Sequence, residues 1–256
     1  MSRIPPRVSV VMPAFNAESS LLPSIRSLQA QEETSWELLL VVDCNSQDRT
    51  LDLAMGAASN DPRIRIISNL PKGGCAYNRN HALREAQGDF VAFLDSDDLW
   101  EPQKLTLQLR LMEQEAVDFS CTGYRWIDAQ GSLLPIIVRP PSSITYHDLL
   151  SNNKIGCLTV MYRRVRFPNL QFADFLHEDY ILWLSILRET SARGIPDILA
   201  SYRVADQSRS RNKAKAAMAR WRILRKFEKL SLVASLRYFT EYAIGSLVRR
   251  SDLNGQ

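Results

Sequence analysis

Four short apolar runs alternate with amphipathic segments over the first 105 residues, and this alternation restricts the possible folds more than any other feature. The runs are rich in Val, Ile, Leu and Phe, and they occupy residues 8–13, 36–43, 63–68 and 89–95. Their length and β-branched content predict buried strands. Apolar residues at helical spacing follow each run, in segments 18–31, 48–59, 74–87 and 101–115. This pattern predicts an α/β fold with a mostly parallel sheet and helices on both faces.

Each predicted strand ends in polar or turn-forming residues. In parallel sheets, ligands bind beyond the carboxyl ends of the strands, so these residues are expected to converge on one crevice. The most acidic of these ends is FVAFLDSDDLW (90–100), in which three aspartates occupy four positions. One aspartate suffices as a helix N-cap, whereas three neighbouring carboxylates repel one another. A divalent cation with hard oxygen ligands, Mn²⁺ or Mg²⁺, would offset that repulsion.

The second half of the chain has a less regular pattern. Strands are predicted at 117–128, 131–138, 156–164 and 197–204, a loop at 139–143, and helices at 175–190 and from 212 to about 247. An acidic pair, Glu178 and Asp179, opens the first of these helices. One interpretation is a catalytic carboxylate, and the other is an acidic first turn stabilised by the helix dipole.

Composition and charge indicate a soluble globular protein with a basic tail. The 256 residues are 45% hydrophobic and 23% charged, and no apolar run reaches the roughly 20 residues of a membrane span. Without an export signal, we expect a cytoplasmic protein with reduced cysteines. Residues 208–250 contain 12 Lys and Arg but only 2 acidic residues, which gives a surplus of ten positive charges. An amphipathic helix pair on an anionic membrane surface fits this composition, as does a helix packed on the domain. Nucleic acid is not an expected partner, because no nucleic-acid motif accompanies the charge.

Four motifs in order resemble the family 2 glycosyltransferases, which have the GT-A fold. They are VSVVMPAFNAE (8–18), WELLLVVDCNSQDRT (36–50), GGCAYNRNHALREAQGDFVAFLDSDDLWEPQKL (73–105) and HEDYILWLSI (177–186). The basic C-terminal segment is similar to the ends of bacterial enzymes that build lipopolysaccharide or O-antigen sugars. The resemblance covers nearly the whole chain.

The resemblance implies a two-part catalytic domain and a transfer reaction. Residues 1–205 would form the GT-A domain, with a nucleotide-sugar half at 1–105 and an acceptor half at 106–205, and 206–256 would form the tail. The implied activity is metal-dependent, inverting transfer from a nucleotide-diphosphate sugar, with a UDP-sugar expected, to a lipid-linked saccharide. The inner face of the cytoplasmic membrane is the implied location. The alternative is a nucleotide-sugar-binding or membrane-associated protein of this fold with weakened chemistry.

The resemblance also assigns roles to individual residues. Asp97 is the implied metal ligand and Asp95 its helper, and Asp98 is either a neighbour of that site or the helix cap. Asp179 is the implied general base, and Glu178 orients it or binds the acceptor. The implied nucleotide-sugar contacts are Pro13, Ala14, Phe15, Asp43, Arg79, Asp95 and Ser96. Arg79 would pair with a phosphate or an aspartate of the DxD motif, or else lie solvated on a helix face.

Two positions depart from the family pattern. The pair of adjacent aspartates common after the second strand is Asp43–Cys44 here, so base recognition rests on Asp43 or is altered. A Tyr-Arg-x-His pattern is replaced by Tyr202-Arg203-Val204-Ala205, which removes a histidine that can lie near the metal. Asp43 could also be a simple turn-forming residue, since DCNSQD is rich in turn formers.

Overall fold

Helices cover both faces of a mixed sheet in a computed structural model that describes residues 5–68, 73–204 and 213–254. The strands are β1 (Val8–Ala14), β2 (Trp36–Val42), β3 (Ile64–Ile67), β4 (Phe90–Phe93), β5 (Leu99–Trp100), β6 (Phe119–Ile127), β7 (Leu133–Val138), β8 (Ser143–Ile144), β9 (Met161–Arg163) and β10 (Ala192–Arg203). The α-helices are α1 (Leu21–Gln29), α2 (Thr50–Asn60), α3 (Gly74–Glu85), α4 (Lys104–Gln114), α5 (Tyr146–Ser151), α6 (Glu178–Leu187), α7 (Lys213–Arg222) and α8 (Leu232–Asn254).

The first half of the sheet is parallel, in the spatial order β3, β2, β1, β4. Residues of β1, β2 and β4 are buried on both faces, which explains why their sequences are continuous apolar runs. Val10 and Met12 point into a cluster with α1 and α4, while Val11 packs into the cluster on the α6 side. The two helix layers therefore hold the carboxyl ends of β1, β2 and β4 at one edge.

The second half joins the first through antiparallel pairing. β9 pairs with both β4 and β6, β10 runs parallel to β6, and β5 closes the edge beside β10. One continuous sheet thus links the two halves of the chain. The predicted α/β class with a mostly parallel sheet flanked by helices is confirmed.

Two predicted elements differ from the structure, and one short helix was not predicted. Residues 156–164 were predicted as one strand, but Cys157–Thr159 forms a 3₁₀ turn before the short β9, since the Thr159 hydroxyl and amide both donate to the Gly156 carbonyl. The helix α5 was not predicted, although Thr145 and Asp148 form a reciprocal capping box at its start. The helix predicted from residue 101 begins at Lys104, because the backbone N–H of Glu101 donates to the Leu199 carbonyl and so continues the pairing of β5 with β10.

The C-terminal helices pack against the domain. The buried Arg220 of α7 donates to the carbonyl oxygens of Leu149 and Leu150, and its guanidinium lies 4.0 Å from the ring centroid of Tyr180. On α8, the Tyr238 hydroxyl lies 2.8 Å from Nδ1 of His147. The described part of the tail is therefore a structural layer over α5 and α6. The predicted boundary at residue 205, including Ala205, lies outside the described residues.

Across the described segments, we find no helix whose length and hydropathy would suit a membrane span.

Candidate active site

A cleft of about 1510 Å³ opens at the carboxyl edge of β1, β2 and β4. The N-terminal ends of α3 and α6 and the 3₁₀ turn at 157–159 complete its walls. All the residues that the sequence nominated line this cleft: Pro13, Ala14, Phe15, Asp43, Arg79, Asp95, Ser96, Asp97, Glu178 and Asp179. Convergence of the parallel strand ends at one edge explains the positions that follow β1, β2 and β4. Arg79 comes from α3, and Glu178 and Asp179 come from α6.

The three aspartates after β4 lie in different environments. Burial and the nearby charge of Asp95 raise the pKa of Asp97 to about 6. Asp98 is almost fully buried and accepts a hydrogen bond from the backbone N–H of Arg203 at 2.8 Å. Its pKa is raised well above the usual range, mainly by burial and next by the charge of Asp97. Asp98 also lines the cleft, but its carboxylate fastens β10 to the acidic loop, and Asp95 and Asp97 are less buried.

Arg79 joins the two acidic parts of the site. Its guanidinium contacts Asp95 at 2.5 Å and Glu178 at 3.0 Å, and the residue is only 4% exposed. The interpretation of Arg79 as a solvated helix-face residue is therefore wrong. One buried cation on α3 ties the loop after β4 to the first turn of α6.

The first turn of α6 places its two carboxylates at the cleft. His177 precedes the helix with a left-handed backbone, φ 65°, which turns the chain sharply into α6. Oδ1 of Asp179 accepts a hydrogen bond from the backbone N–H of Tyr180 at 2.7 Å. Burial, and then the Glu178 charge, raise the pKa of Asp179 to about 6. A carboxylate with this pKa is ionised at neutral pH and accepts a proton more readily than an ordinary aspartate.

The ends of β1 and β2 bring an exposed aromatic ring and a carboxylate to the cleft. Phe15 is 54% exposed, which is high for a large apolar side chain. Asp43 follows β2, and its backbone N–H donates to the Ala14 carbonyl. The carboxylate of Asp43 accepts hydrogen bonds from the amide of Asn45 and from that of Asn78 on α3.

Sequence reasoning missed several residues that also line the cleft. Asn78 is 3% exposed and precedes Arg79 in the sequence. Its place beside Arg79 on the predicted helix was the one signal that could have placed Asn78 in the cleft. Trp126 and Tyr202 come from paired positions of β6 and β10, and Tyr242 comes from α8. The indole N–H of Trp126 is buried without a hydrogen-bond partner in the described part of the chain. Trp126 and Tyr202 reach the cleft because of the register between β6 and β10, and Tyr242 reaches it because the tail docks on the domain. The sequence alone reveals neither.

The oxygen donors of Asp95 and Asp97 suit a divalent cation. Hard cations such as Mn²⁺ and Mg²⁺ prefer carboxylate oxygens and are usually held by one or two of them together with phosphate oxygens. Burial and mutual charge disfavour ionisation of Asp97, and a cation would reverse that. Within the described residues, no group of three or more His, Cys, Asp or Glu side chains is arranged to hold a metal ion by itself.

The sheet order and the crevice at its carboxyl edge match the GT-A fold. S. aureus TarS, solved with UDP-GlcNAc, has the same fold, with a TM-score of 0.72 at 19% identity over 93% of this chain and 71% of that one. The mannosyltransferase PcManGT from Pyrobaculum calidifontis, solved with GDP-Man and Mn²⁺, gives 0.69 at 16% identity over 99% and 77%.

Sequence comparison specifies the family. Residues 9–167 match the model of glycosyl transferase family 2, and the chain belongs to that family. It is 37% identical to TuaG of Bacillus subtilis (strain 168), a glycosyltransferase provisionally assigned to teichuronic acid biosynthesis, over 98% of this chain and 100% of TuaG. It is also 37% identical, over 93% and 92%, to WfgD of Escherichia coli, a UDP-Glc:α-D-GlcNAc-diphosphoundecaprenol β-1,3-glucosyltransferase.

Proposed function

We propose that this enzyme is a metal-dependent, inverting glycosyltransferase that uses a UDP-sugar and acts on a lipid-linked saccharide in cell-surface polysaccharide synthesis. The observation that carries the proposal is the convergence of Asp43, Asp97 and Asp179 on one cleft of about 1510 Å³. The names of WfgD and of a second Escherichia coli relative, WfaP (34% identical over 85% of each chain), support the donor and acceptor classes, since both are UDP-Glc:α-D-GlcNAc-diphosphoundecaprenol β-1,3-glucosyltransferases.

The nucleotide-sugar half, residues 1–105, would bind the donor. Pro13, Ala14 and the exposed ring of Phe15 would line the base, with Asp43 at its edge. Asp95 and Ser96 would contact the nucleotide sugar near the diphosphate. Asp97, assisted by Asp95, would hold Mn²⁺ or Mg²⁺. When bound, such a cation stabilises the negative charge of the departing nucleoside diphosphate.

The acceptor half, residues 106–205, would supply the base. An acceptor hydroxyl attacks the anomeric carbon as the bond to the diphosphate breaks, and its proton moves to the carboxylate of Asp179. A single displacement inverts the anomeric centre and requires one base. Glu178, held by Arg79, would fix the approach of the acceptor. The raised pKa of Asp179 suits a proton acceptor near neutral pH.

The tail would place the enzyme at the inner face of the cytoplasmic membrane. Although one side of α8 packs on the domain, Leu232, Val233 and Leu236 are each at least half exposed. Basic side chains from the surplus of ten positive charges accompany them. Exposed apolar groups flanked by cations bind anionic lipid surfaces, so the packed and membrane-facing interpretations apply to different sides of one helix.

The substitution Asp179→Asn tests the catalytic assignment. We expect unchanged UDP binding and loss of sugar transfer from UDP-Glc to GlcNAc-diphosphoundecaprenol or another lipid-linked saccharide. Asp52→Asn on the exposed surface of α2 is the matched control and should retain full activity. Equal turnover by Asp179→Asn and wild type would remove Asp179 as the base.

A further inference from the structure

Aromatic side chains are concentrated on one part of the cleft. Within the described residues, the nucleotide-sugar half contributes one aromatic ring, that of Phe15. The acceptor half and the tail contribute five: Tyr124, Trp126, Phe175, Tyr202 and Tyr242. Tyr242 belongs to α8. The tail is therefore part of the cleft wall as well as a layer over α5 and α6.

A buried arginine holds Tyr242 near the candidate base. Arg220 of α7 is 5% exposed, and its guanidinium carbon lies 4.0 Å from the ring centroid of Tyr180 and 5.1 Å from that of Tyr242. A cation is attracted to an aromatic face, most strongly where water is excluded. The backbone N–H of Tyr180 donates to Oδ1 of Asp179 at 2.7 Å. One arginine thus links the tail ring to the residue that contacts Asp179.

A second aromatic contact joins the tail to the same wall. Phe175 lines the cleft just before α6, and its ring centroid lies 5.2 Å from that of Phe227. Phe227 ends a π-helical turn that follows α7. The tail therefore supports both the first turn of α6 and the segment that leads into it.

Part of the Tyr242 side chain is available to a ligand. The residue is half-buried, with Arg220 and Phe239 beside its ring. The flat face of a tyrosine packs against the C–H groups of a sugar ring, and its hydroxyl can exchange hydrogen bonds with sugar hydroxyls. In the proposed reaction the acceptor brings a hydroxyl to Asp179. The saccharide of the acceptor is therefore the ligand that this position suits.

The two sides of α8 have different surroundings. At 3.6 residues per turn, Tyr238 and Tyr242 lie on one side and Val233, Leu236 and Ile244 on the opposite side. Tyr238 is buried against the domain, whereas Val233, Leu236 and Ile244 are each at least half exposed. A lipid-linked saccharide would meet this helix twice, with its sugar at Tyr242 and its lipid on the exposed side.

We infer that the tail completes the acceptor-binding site and that Tyr242 is an acceptor-binding residue, whose ring packs on a sugar of the lipid-linked saccharide. The inference deepens the proposed function and rests on it. It also extends the catalytic unit beyond residue 205, into α7 and α8.

Steady-state kinetics with UDP-Glc and a GlcNAc diphosphate on a short, water-soluble alkyl chain test the inference on the whole chain. The short alkyl chain removes the contribution of a membrane. We expect Tyr242→Ala and Tyr242→Leu to raise the KM for this acceptor about tenfold, the loss of one good aromatic contact. The UDP affinity, measured by calorimetry, should stay unchanged. Tyr242→Phe keeps the ring, so its KM should rise less.

The controls separate a binding role from a structural one. Thr240→Ala, on the exposed side of α8, should leave the acceptor KM unchanged, since the Thr240 hydroxyl bonds to carbonyl oxygens of its own helix. Tyr242→Leu keeps apolar packing and supplies the test if Tyr242→Ala does not fold. An unchanged acceptor KM for Tyr242→Leu, or an equal loss of UDP affinity, would overturn the inference but not the transferase. If wild type transferred sugar to no lipid-linked saccharide, the proposed function would fail instead.

Discussion

Replacing Arg79 with methionine should lower both the transfer activity and the unfolding free energy of the enzyme. Methionine keeps much of the apolar volume of the arginine stem but removes the cation that Asp95 and Glu178 share. Both carboxylates are largely buried, with side-chain exposures of 28% and 18%. Without Arg79 they would lie in the same cleft as Asp97 and Asp179 and would lose the guanidinium that contacts both of them.

The size of the effect follows from the two ion pairs, at 2.5 and 3.0 Å. Each close pair contributes on the order of 4 kcal/mol at an effective dielectric constant of about 20, and the dehydration of the guanidinium opposes this gain. Loss of one partner from a buried pair typically costs about 3–5 kcal/mol. For a chain of this length, that corresponds to a decrease in melting temperature of about 10 °C.

Thermal and urea denaturation, followed by a transfer assay, measure the two consequences. We expect Arg79→Met to lose about 3 kcal/mol of unfolding free energy and at least a hundredfold in activity, since the positions of Asp95 and Glu178 both depend on the arginine. Arg193→Met is the control, because its pair with Glu115 is at the surface, where such pairs contribute about 0.2–1 kcal/mol. A stability change for Arg79→Met no larger than that of the control would refute the reasoning.

Three further outcomes are expected. The transfer rate should fall as pH decreases through about 6, where Asp179 becomes protonated, and a rate that stays constant down to pH 5 would contradict its role as base. Because folding raises the pKa of Asp179, ionisation of this carboxyl lowers the unfolding free energy as pH rises from about 4 to about 6. Asp179→Asn removes this loss, so urea denaturation should show an unfolding free energy that is higher than that of wild type by up to about 3 kcal/mol at pH 7. At pH 3.5, the two unfolding free energies should be equal. The double substitution Leu232→Gln, Leu236→Gln should abolish co-sedimentation with phosphatidylglycerol vesicles at an unchanged melting temperature, and retained binding would exclude the exposed side of α8 as the membrane contact.

The sequence predicts the parallel half of the sheet well, because β1, β2 and β4 are buried on both faces and their continuous apolar runs differ clearly from the helical segments. It predicts the region around the 3₁₀ turn poorly. GCLTVMYRR reads as a strand, but the hydrogen bonds of Thr159 to Gly156 bend its first residues. The helix α5 is short, and its capping box was the one local signal for it.

The aspartates that follow β2 and β4 were predictable, since polar side chains at parallel strand ends must lie together, whereas Glu178 and Asp179, in the first turn of α6, were assigned through the family resemblance. The asparagine on α3 was not predictable, because the rotation of a helix against the sheet decides which of its side chains faces the cleft. Likewise, Tyr242 lines the cleft because α8 docks on the domain, through contacts that include those of Tyr238 with His147 and of Glu241 with Ser151. Truncation of the tail near residue 205 would remove Arg220 and Tyr238 and expose the surfaces of α5 and α6 that they cover, so substitutions on the exposed side of α8 are the better test of membrane binding.

Calorimetric titration of UDP with Mn²⁺ and with a chelator, for wild type and for Asp97→Asn, tests the metal-dependent donor site most directly. The substitution keeps the shape of a largely buried side chain whose pKa is already raised to about 6, so the fold should persist. We predict that Mn²⁺ strengthens UDP binding by wild type at least tenfold and that Asp97→Asn removes this difference. Equal UDP affinity in all four measurements would contradict the assignment of the acidic cleft as a metal-dependent nucleotide-sugar site.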